Sequence, residues 1–404
     1  MKIMGSALFI EKKNKNYNAF SLIYVIYAFL SLWLVCSADS TLFIPLMMDI
    51  RKIVAFLVLL LFFVFFSTRE VSVDKKSLSF CIFPVIYYLF SFYNHYDNDH
   101  IASFVSILLL IVFVALDGST KLQIYALFRK LLFVISILGI ICYVAYLLGV
   151  PLPHYRVDYY DSDRYTYIYY YVSVLVEGDG LIRLCGLFNE PGYLGTILGL
   201  VLSLDIIFHK KALDSIVFFV AGLLTLSLAF FLTIICCYVL KQVRTPSRWI
   251  LVLSVVTFYL FILPNIHTGN NSIDHIIERV SINEEGKMSG DNRSNLQLDF
   301  LLFQTLSSDK VFWGNGMGYV KSYEMNVSSF KTIIVDNGVI CFVTLYIIFM
   351  VFLLYRYRKH KETYPFIIVF FINVYQRPGI YNIVYFIVLF CGLKMLENQV
   401  VLKK

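Results

Sequence analysis

The sequence predicts an all-α polytopic membrane protein with about twelve transmembrane helices, and three observations lead to that class. Hydrophobic residues make up 59% of the 404 residues and charged residues only 15%, which is more apolar surface than a soluble fold of this length could bury. The apolar residues form runs of roughly 16–25 residues with little charge, long enough to cross a bilayer core of about 30 Å. Lys and Arg cluster in alternate connecting segments, as the positive-inside rule requires of cytoplasmic loops. We therefore expect residues 1–404 to form one integral membrane domain in a lipid bilayer, and the net charge of +7 needs no nucleic-acid partner.

The positions of the spans follow from the apolar runs and the charges between them. The basic N-terminal segment predicts a cytoplasmic start, and Lys403-Lys404 predict a cytoplasmic end. The expected spans cover residues 17–36, 53–67, 78–93, 101–116, 131–149, 191–208, two helices within 213–240, 249–263, 332–355, 364–375 and 380–396.

The apolar run Leu213–Leu240 is the one ambiguous part of this topology. As a single helix its 28 residues would measure roughly 42 Å, too long for an upright crossing. One crossing would also place Lys241 and Arg244 outside and invert every later span. Two short helices that turn near Thr225–Ser227 keep those cations in the cytoplasm, so the charges favour a hairpin.

Two long polar segments are expected outside the membrane. Residues 150–183 contain eight tyrosines between Tyr155 and Tyr171, interleaved with charged residues. Such a segment suits either an interfacial anchor or a surface that stacks on sugar rings, and Tyr165 and Tyr169 are our candidates for glycan contact. Residues 264–330 form a larger loop in which the amphipathic pattern of Asn295–Leu306 predicts a short helix. Loops of this length are usually functional.

The stretch Leu181–Leu200 joins a polar segment to the sixth span. Asn189 is placed as a helix N-cap and Pro191 in the first turn, where a missing N–H costs nothing. The positive end of this helix would then face the aqueous phase, next to Arg183, as an anion site to which Asn189 and Tyr193 could add glycan contacts. Alternatively this is an ordinary helix start, with Gly195-xxx-Gly199 as a helix-packing face.

Arginine is more frequent on the predicted outer face than the positive-inside rule favours. Guanidinium groups bind phosphate oxygens in bidentate fashion, so converging arginines would neutralise a pyrophosphate. The alternatives are local ion pairs (Arg183 with Glu190, Arg293 with Asp291, Arg279 with Glu278) or, for the residue at the last hairpin turn, a plain interfacial anchor. The candidates for pyrophosphate binding are Arg183, Arg279, Arg293 and Arg377.

Acidic residues on the same face could serve as a general base for an attacking hydroxyl. Glu190 is the first candidate by position, followed by Asp291 and Asp336, although Glu190 would serve equally as the counter-ion of Arg183. The eight cysteines show neither CxxC nor Cys/His ligand spacing, so we expect neither a metal nor another cofactor. The Gly314–Gly318 run is a weak phosphate-binding signal and more typical of a tight bend.

Taken together, the motifs resemble the O-antigen polymerase (Wzy) family, within the wider group that includes the O-antigen ligases. The residues that carry the resemblance are Arg183 with the segment 186–193 (GLFNEPGY), the G-x-G-x-G run at 314–318, Asp336-Asn337-Gly338 at the opening of a span, and the turn Gln376–Pro378. Twelve spans with large outer loops after the fifth and ninth spans fit the family layout over essentially the whole chain.

The resemblance implies a metal-independent glycosyltransferase of the bacterial inner membrane with its active site on the periplasmic face. Such an enzyme takes a growing glycan from undecaprenyl pyrophosphate and transfers it en bloc to the next lipid-linked repeat unit. The four arginines would hold the donor pyrophosphate, and Glu190 or an acid from the large loop would activate the acceptor. A polysaccharide chain-length regulator is a possible protein partner.

The sequence also departs from the family pattern. Ser227-Leu228 stands where many members have Ser-Arg, so an arginine role there cannot be transferred. O-antigen ligases typically place a histidine just before the tenth span, but residues 328–337 contain none, which favours a polymerase. Arg279 and Gly290 match an R-x10-G pattern of some polymerases, a weak signal. The alternatives are an O-antigen ligase and, in a different class, a flippase or another transporter of lipid-linked oligosaccharides. Neither an internal repeat nor charge within the spans favours a transporter.

Overall fold

The computed structural model shows a mostly helical chain with one small antiparallel sheet. It describes residues 74, 77–93, 100–158, 165–170, 173–178, 181–188, 190–208, 213–242, 295–323, 325, 327, 329–377 and 383–402. The predictions that fall outside these residues concern the first, second and ninth spans, both chain termini, and the site residues Asn189, Arg279, Asp291 and Arg293.

The structure describes twelve α-helices, numbered here in chain order. They are α1 (Ile82–Tyr93, entered through the 3-10 turn Leu78–Cys81), α2 (His100–Ala115), α3 (Gly118–Leu147), α4 (Pro191–Phe208), α5 (Leu213–Leu224), α6 (Leu228–Gln242), α7 (Leu296–Leu306), α8 (Phe330–Phe342), α9 (Phe349–Arg356), α10 (Tyr364–Gln376), α11 (Ile383–Phe386) and α12 (Gly392–Leu402). The π-helical segments Val343–Ile348 and Ile387–Cys391 join α8 to α9 and α11 to α12. The helical predictions for residues 78–93, 191–208, 364–375 and Asn295–Leu306 are therefore confirmed to within a residue or two.

Within the described part of the chain, three helices are long and apolar enough to cross a membrane. They are α3, α4 and the continuous run Phe330–Arg356. Shorter apolar helices accompany them, among them α5, α6 and α7. This content is consistent with a helical membrane protein; the number of twelve spans remains a prediction.

The predicted hairpin in Leu213–Leu240 is confirmed. Helix α5 ends at Leu224 and α6 begins at Leu228. The hydroxyl of Ser215, at the start of α5, donates to Asp205 near the end of α4 over 2.7 Å. Lys241, at the end of α6, donates to the carbonyl of Ile206. Both open ends of the hairpin therefore lie at the end of α4, and the tip lies at its start.

The expectation of an all-α fold is wrong for the segment 150–183. This segment and the residues after it form a four-stranded antiparallel meander of β1 (His154–Asp158), β2 (Tyr165–Tyr170), β3 (Ser173–Gly178) and β4 (Leu181–Gly186). Aromatic and β-branched residues favour a pleated, half-buried surface, which accounts for the strands. The tyrosine-rich segment is thus ordered sheet over these ranges.

The two faces of the sheet have different partners. Buried Ile168, Leu175 and Leu184 lie on the face that packs against α3. A Cβ atom at Gly139 of α3 would stand 2.8 Å from the Leu184 side chain, and the hydroxyl of Tyr143 donates to the carbonyl of Ile182 over 3.1 Å. The opposite face, which we call the tyrosine face, carries Tyr155, Tyr165, Tyr167, Tyr169 and, through the pairing of Val176 with Arg183, that arginine.

The long helical run Phe330–Arg356 is broken near its start. Gly338 has φ 81° and ψ 171°, which interrupts the helix after Asn337. The glycine loop packs into this break: the N–H groups of Asn315 and Gly316 donate to the carbonyls of Val335 (2.9 Å) and Asp336 (2.8 Å). Cβ atoms at Gly314 and Gly338 would stand 2.3 and 2.2 Å from backbone oxygen atoms. The interpretation of Gly314–Gly318 as a tight bend is confirmed.

Candidate functional site at the start of helix α4

Helix α4 begins at Pro191, the first helical residue, as the sequence predicts. The carbonyl of Glu190 accepts from the N–H of Tyr193 over 3.1 Å, so Glu190 lies at the mouth of the helix. Pro191 has no N–H and that of Tyr193 is engaged, so the N–H of Gly192 is the first-turn donor for which the structure describes no partner, and the helix dipole is positive at this end. An anion placed here would be stabilised by both effects.

Arg377 reaches this helix start from the far end of α10. Its guanidinium Nη1 lies 2.8 Å from Oε2 of Glu190, and the arginine side chain is only 12% exposed while that of Glu190 is 44% exposed. The backbone N–H of Arg377 donates to the carbonyl of Asn373, which ends α10. The structure therefore brings together Glu190 and Arg377, two of the predicted site residues that are far apart in sequence.

Gly192 makes room for Arg377 in the first turn of α4. A Cβ atom at Gly192 would stand 2.1 Å from Nη2 of Arg377 and 3.7 Å from Oγ of Ser227. The guanidinium and the hydroxyl thus both approach the space that this glycine leaves open. A larger residue here would push the guanidinium off the helix start.

Arg183 contacts the tip of the α5–α6 hairpin. Its Nε donates to the carbonyl of Thr225 over 3.1 Å. That tip packs on α4, because a Cβ atom at Gly195 would stand 2.6 Å from Cβ of Ser227. Leu226, which stands between Thr225 and Ser227 at the tip, has φ 47°, a left-handed conformation that is unfavourable for leucine.

The hairpin tip therefore holds Arg183 at the same end of α4 as Arg377. We call Arg183, Glu190, Gly192, Thr225, Ser227 and Arg377 the arginine site. A Cβ at Gly199 would stand 3.0 Å from Thr233, so the alternative interpretation, a helix-packing face at Gly195 and Gly199, is confirmed, and the anion site stays a prediction. Chemically the site can bind an anion with two guanidinium groups and a helix start, and it holds a partly exposed carboxylate within reach of the same space.

The thiol of Cys185 lies on the same strand as Arg183 but cannot act as a nucleophile in this setting. It is fully buried, and that burial raises the pKa of the Cys185 thiol well above its ordinary value, against the opposing effect of Arg183. The thiolate is the reactive form of cysteine, so a raised pKa makes the side chain inert. Its side chain is part of the buried core.

Asp336 occupies a different place from Glu190. One of its carboxylate oxygens accepts from the N–H of Val320 over 2.9 Å and the other from the N–H of Gly318 over 3.2 Å. Both oxygens are thus engaged in holding the glycine loop against the helix break. This geometry favours a structural role over that of a general base.

The tyrosines predicted to contact glycan are in two different environments. Tyr193 is 9% exposed, and its ring packs against Phe188 and Tyr385, which favours a role in the core. Tyr165 and Tyr169 lie on the tyrosine face, the latter stacked on Tyr155 with ring centroids 4.9 Å apart. Because Arg183 is on the same face, this aromatic surface leads toward the arginine site.

Sequence reasoning did not identify the contribution of the hairpin tip to the site. Thr225 and Ser227 were placed only as a turn, and their contacts with Arg183 and α4 join segments about forty residues apart. The spacing of residues in sequence contains no signal for that contact. The small residues at Gly192 and Gly195 are the one local sign that another chain segment approaches closely.

Among the residues that the structure describes, no three His, Cys, Asp or Glu side chains are grouped closely enough to hold a metal ion. The fold and the site together are those of a mostly helical protein with apolar helices of membrane-crossing length and two arginines near one helix start, one of them paired with a glutamate. Comparisons of the chain with protein-family models, with curated proteins and with solved structures find no match.

Proposed function

We propose that this protein is a polymerase of a bacterial surface polysaccharide that acts on glycans linked to undecaprenyl pyrophosphate at the outer face of the inner membrane. The observation that carries the proposal is the arginine site, where Arg183 and Arg377 lie at the start of α4 beside Glu190. Two guanidinium groups at a helix start suit the oxygens of a pyrophosphate. The apolar helices of membrane-crossing length, the predicted twelve-span topology and the resemblance to O-antigen polymerases support the same proposal.

In the proposed reaction the acceptor hydroxyl attacks the anomeric carbon of the donor glycan. The bond from that carbon to the pyrophosphate oxygen breaks, and undecaprenyl pyrophosphate leaves with the bonding electrons. Arg183 and Arg377 stabilise the negative charge that develops on the leaving group. The hydroxyl proton passes to the carboxylate of Glu190.

The ion pair between Glu190 and Arg377 gives this scheme an order of events. While the pair is intact, Arg377 engages a carboxylate oxygen of Glu190 and makes it less available to the acceptor hydroxyl. A donor pyrophosphate that binds Arg377 competes with Glu190 for the guanidinium. Donor binding thus frees the carboxylate for the acceptor hydroxyl.

The test is chain growth by the purified protein in liposomes that contain the lipid-linked repeat unit. A ladder of products of increasing length is expected from the wild-type protein. Arg377→Lys and Arg183→Lys keep the charge but lose the planar fork, so we expect the rate of chain growth to fall about a hundredfold. Arg156→Lys is the matched control, because Arg156 is an exposed arginine of the same sheet that contacts only Tyr146 among the described hydrogen bonds.

The same assay separates this proposal from its alternatives. Full activity in both arginine variants would refute the site, and a wild-type protein that makes no ladder would refute the polymerase. A ligase would instead transfer the glycan to lipid A-core supplied in place of the lipid-linked acceptor. A flippase would change the side of the membrane on which the substrate is found without lengthening it.

A further inference from the structure

A large cavity lies at the end of the molecule opposite to the arginine site. It has a volume of about 1180 Å³ and is bounded by the start of α3, the end of α9, α12, and residues 357–360, which stand just before the turn Lys361–Thr363. The 13 residues of α10 run from this turn to Arg377, so the two sites lie at opposite ends of that helix. The proposed polymerase reaction uses none of the residues around this cavity.

The cavity lining is rich in cations. The lining contains five lysine and arginine side chains but only three carboxylates, those of Asp74, Asp117 and Glu397. Lys394 pairs with Glu397 over 2.7 Å, but among the described residues no carboxylate forms an ion pair with any of the other four. These cations are Lys121, Lys394, Arg356, Arg358 and Lys359.

Lys121 is the most unusual of these cations because it is buried. Its residue is 3% exposed, and its ammonium donates to the carbonyl of Val114 over 2.7 Å and to the hydroxyl of Ser77 over 3.1 Å. An ammonium has three donors, so a further acceptor can be accommodated. Asp74 accepts from the same Ser77 hydroxyl over 2.8 Å and attracts the ammonium without a direct contact, so an anion in the cavity would add a direct ionic partner.

Two buried polar atoms of the lining also have no hydrogen-bond partner in the described structure. They are Oδ1 of Asp117 and Nδ1 of His360. The other carboxylate oxygen of Asp117 accepts from Ser119 at the start of α3. An ionised carboxylate only accepts hydrogen bonds, so Oδ1 calls for a donor such as a hydroxyl group. A ligand that carries both a phosphate and a hydroxyl would satisfy the cations and Asp117 together.

The rest of the lining is apolar or aromatic. Phe80, Leu122 and Phe390 belong to it, and Tyr355, whose ring lies 4.2 Å from the guanidinium carbon of Arg358, is 63% exposed. A lining that is cationic in one part and apolar in another matches a lipid in which a charged head group joins acyl chains. The cationic end is also the face that the positive-inside rule assigns to the cytoplasm, where anionic lipids attract basic pockets between helices.

We infer that this cavity binds the head group of an anionic glycerophospholipid, with the phosphate on Arg356, Arg358 and Lys121 and a glycerol hydroxyl on Asp117. Phosphatidylglycerol and cardiolipin have this chemistry. The shared element is a phosphate ester with a nearby hydroxyl, which free inorganic phosphate lacks.

The test is native mass spectrometry of the full-length protein. The protein is released from phosphatidylcholine nanodiscs in which about 20–30% of the lipid is phosphatidylglycerol. We expect phosphatidylglycerol adducts on the wild-type protein and at least about a fivefold loss of them in the double variant Arg356→Gln/Arg358→Gln. Lys130→Gln is the control, because it removes an exposed cation of α3 that does not line the cavity. Equal adducts in the double variant and the control would overturn the inference.

A second variant tests the hydroxyl contact and does not depend on the cations. Asp117→Asn preserves a good N-cap residue for α3, so folding is expected to be retained. Phosphatidic acid has the phosphate but no glycerol head group. We expect the preference of the wild-type protein for phosphatidylglycerol over phosphatidic acid to disappear in Asp117→Asn. An unchanged preference, or displacement of the lipid by millimolar inorganic phosphate, would overturn the head-group assignment.

Discussion

At Gly192 the absence of a side chain determines which group occupies the start of α4. The guanidinium of Arg377 lies where a Cβ atom would be, only 2.1 Å from that position. The same guanidinium holds Glu190 over 2.8 Å. The placement of both charged groups therefore depends on one glycine, and an added methyl group moves the arginine without removing any charge.

We predict that Gly192→Ala lowers the rate of chain growth at least about tenfold while the protein still folds. Alanine is preferred over glycine in a helix by about 1 kcal/mol, so the helix itself gains stability. The loss comes from the displaced guanidinium, which no longer meets the donor at the right distance. Polymer ladders and thermal unfolding in detergent measure the two effects.

Gly199→Ala is the control for that variant. Gly199 lies in the same helix and its new methyl group would meet Thr233 of α6 at 3.0 Å, away from any arginine. Its effect should appear in the unfolding temperature and not in the rate. Equal rates for Gly192→Ala and wild type would contradict the placement of Arg377.

Glu190 and Asp336 are the two candidate general bases that the structure describes, and we expect them to respond differently to substitution by the neutral amide. Glu190→Gln should reduce chain growth at least about a hundredfold with little change in the unfolding temperature, because a general base is lost while the amide oxygen can still accept from Arg377. Asp336→Asn should lower the free energy of unfolding by about 1–3 kcal/mol, because its two oxygens hold Gly318 and Val320. Thermal unfolding and the liposome assay on both variants check this, and the reverse pattern would exchange the two roles.

At the scale of elements, the tip of the α5–α6 hairpin contains one residue in a strained backbone conformation. Leu226 has φ 47°, which lets the chain reverse within Thr225–Ser227 and turns the Thr225 carbonyl toward Arg183. A left-handed conformation costs an L-residue about 1–2 kcal/mol. The packing of the tip on Gly195 compensates for this cost.

We predict that Leu226→Ile lowers the free energy of unfolding by about 1–2 kcal/mol, whereas Leu226→Asn leaves it nearly unchanged. A β-branched side chain is a poor fit to a positive φ, while asparagine tolerates it. Thermal unfolding of the purified variants measures the difference. Equal stability of the two would mean that the tip does not hold this conformation in solution.

The helices of this chain are the elements that its sequence predicts best. Apolar runs bounded by charge or by Pro define α4 and α10 to within a residue, because burying such a run in a membrane requires a helix. The break at Thr225–Ser227 followed from length and charge together. Helix α3 begins at Gly118, before the predicted Leu131, since its polar first turns are held by contacts such as that of Arg129 with Asp205.

The sheet was missed although part of its signal is local. Tyr165, Tyr167 and Tyr169 alternate with residues of the buried face, a period of two, and Asp179-Gly180 stands between paired Gly178 and Leu181. Asp-Gly is a strong sign of a two-residue hairpin. So many aromatic residues on both faces obscure the contrast between polar and apolar positions on which the period-two pattern depends.

The charged residues of the arginine site could be predicted from the sequence, but the contacts between them could not. Arg183, Glu190 and Arg377 were selected by residue type and expected side of the membrane. The pairing of Glu190 with Arg377 and the contact of Arg183 with Thr225 depend on how distant helices pack. Local patterns predict elements, but such tertiary contacts are set by packing.

At the scale of the whole molecule, a buried ion network joins three helices near the end of α4. Arg129 of α3 binds both oxygens of Asp205 at 2.9 and 2.7 Å, and it also pairs with Asp214 of α5. The side chains of Arg129 and Asp205 are 8% and 3% exposed. The network joins α3, α4 and α5 at the open end of the hairpin, while the hairpin tip packs near the start of α4.

We predict that Arg129→Met lowers the free energy of unfolding by about 3–5 kcal/mol, because it leaves two carboxylates without their cation. The triple variant Arg129→Met/Asp205→Leu/Asp214→Asn should recover most of that loss, since no unpaired buried charge remains. Thermal unfolding in detergent compares the two. A triple variant as unstable as the single one would show that the network acts through shape and not through charge.

The two ends of the molecule differ in charge and in chemistry, and the proposed function requires them to face opposite sides of a membrane. Leu148, which is 73% exposed, lies at the end of α3 beside the sheet. Leu213, which is 71% exposed, lies at the start of α5, and Lys359 lines the cavity at the other end of the molecule. If the sheet and the arginine site face outward, a membrane-impermeant maleimide added to cells with a permeabilised outer membrane should label Leu148→Cys. Leu213→Cys and Lys359→Cys should react only after the inner membrane is opened.

The native protein without an added cysteine gives the background in that experiment, and its seven described thiols lie in buried or half-buried positions. The positive-inside rule and the proposed periplasmic location of the donor both require the arginine site to face outward. Labelling of Leu213→Cys from outside would place the arginine site in the cytosol. A periplasmic glycan donor could not reach it there, and the polymerase proposal would have to be given up.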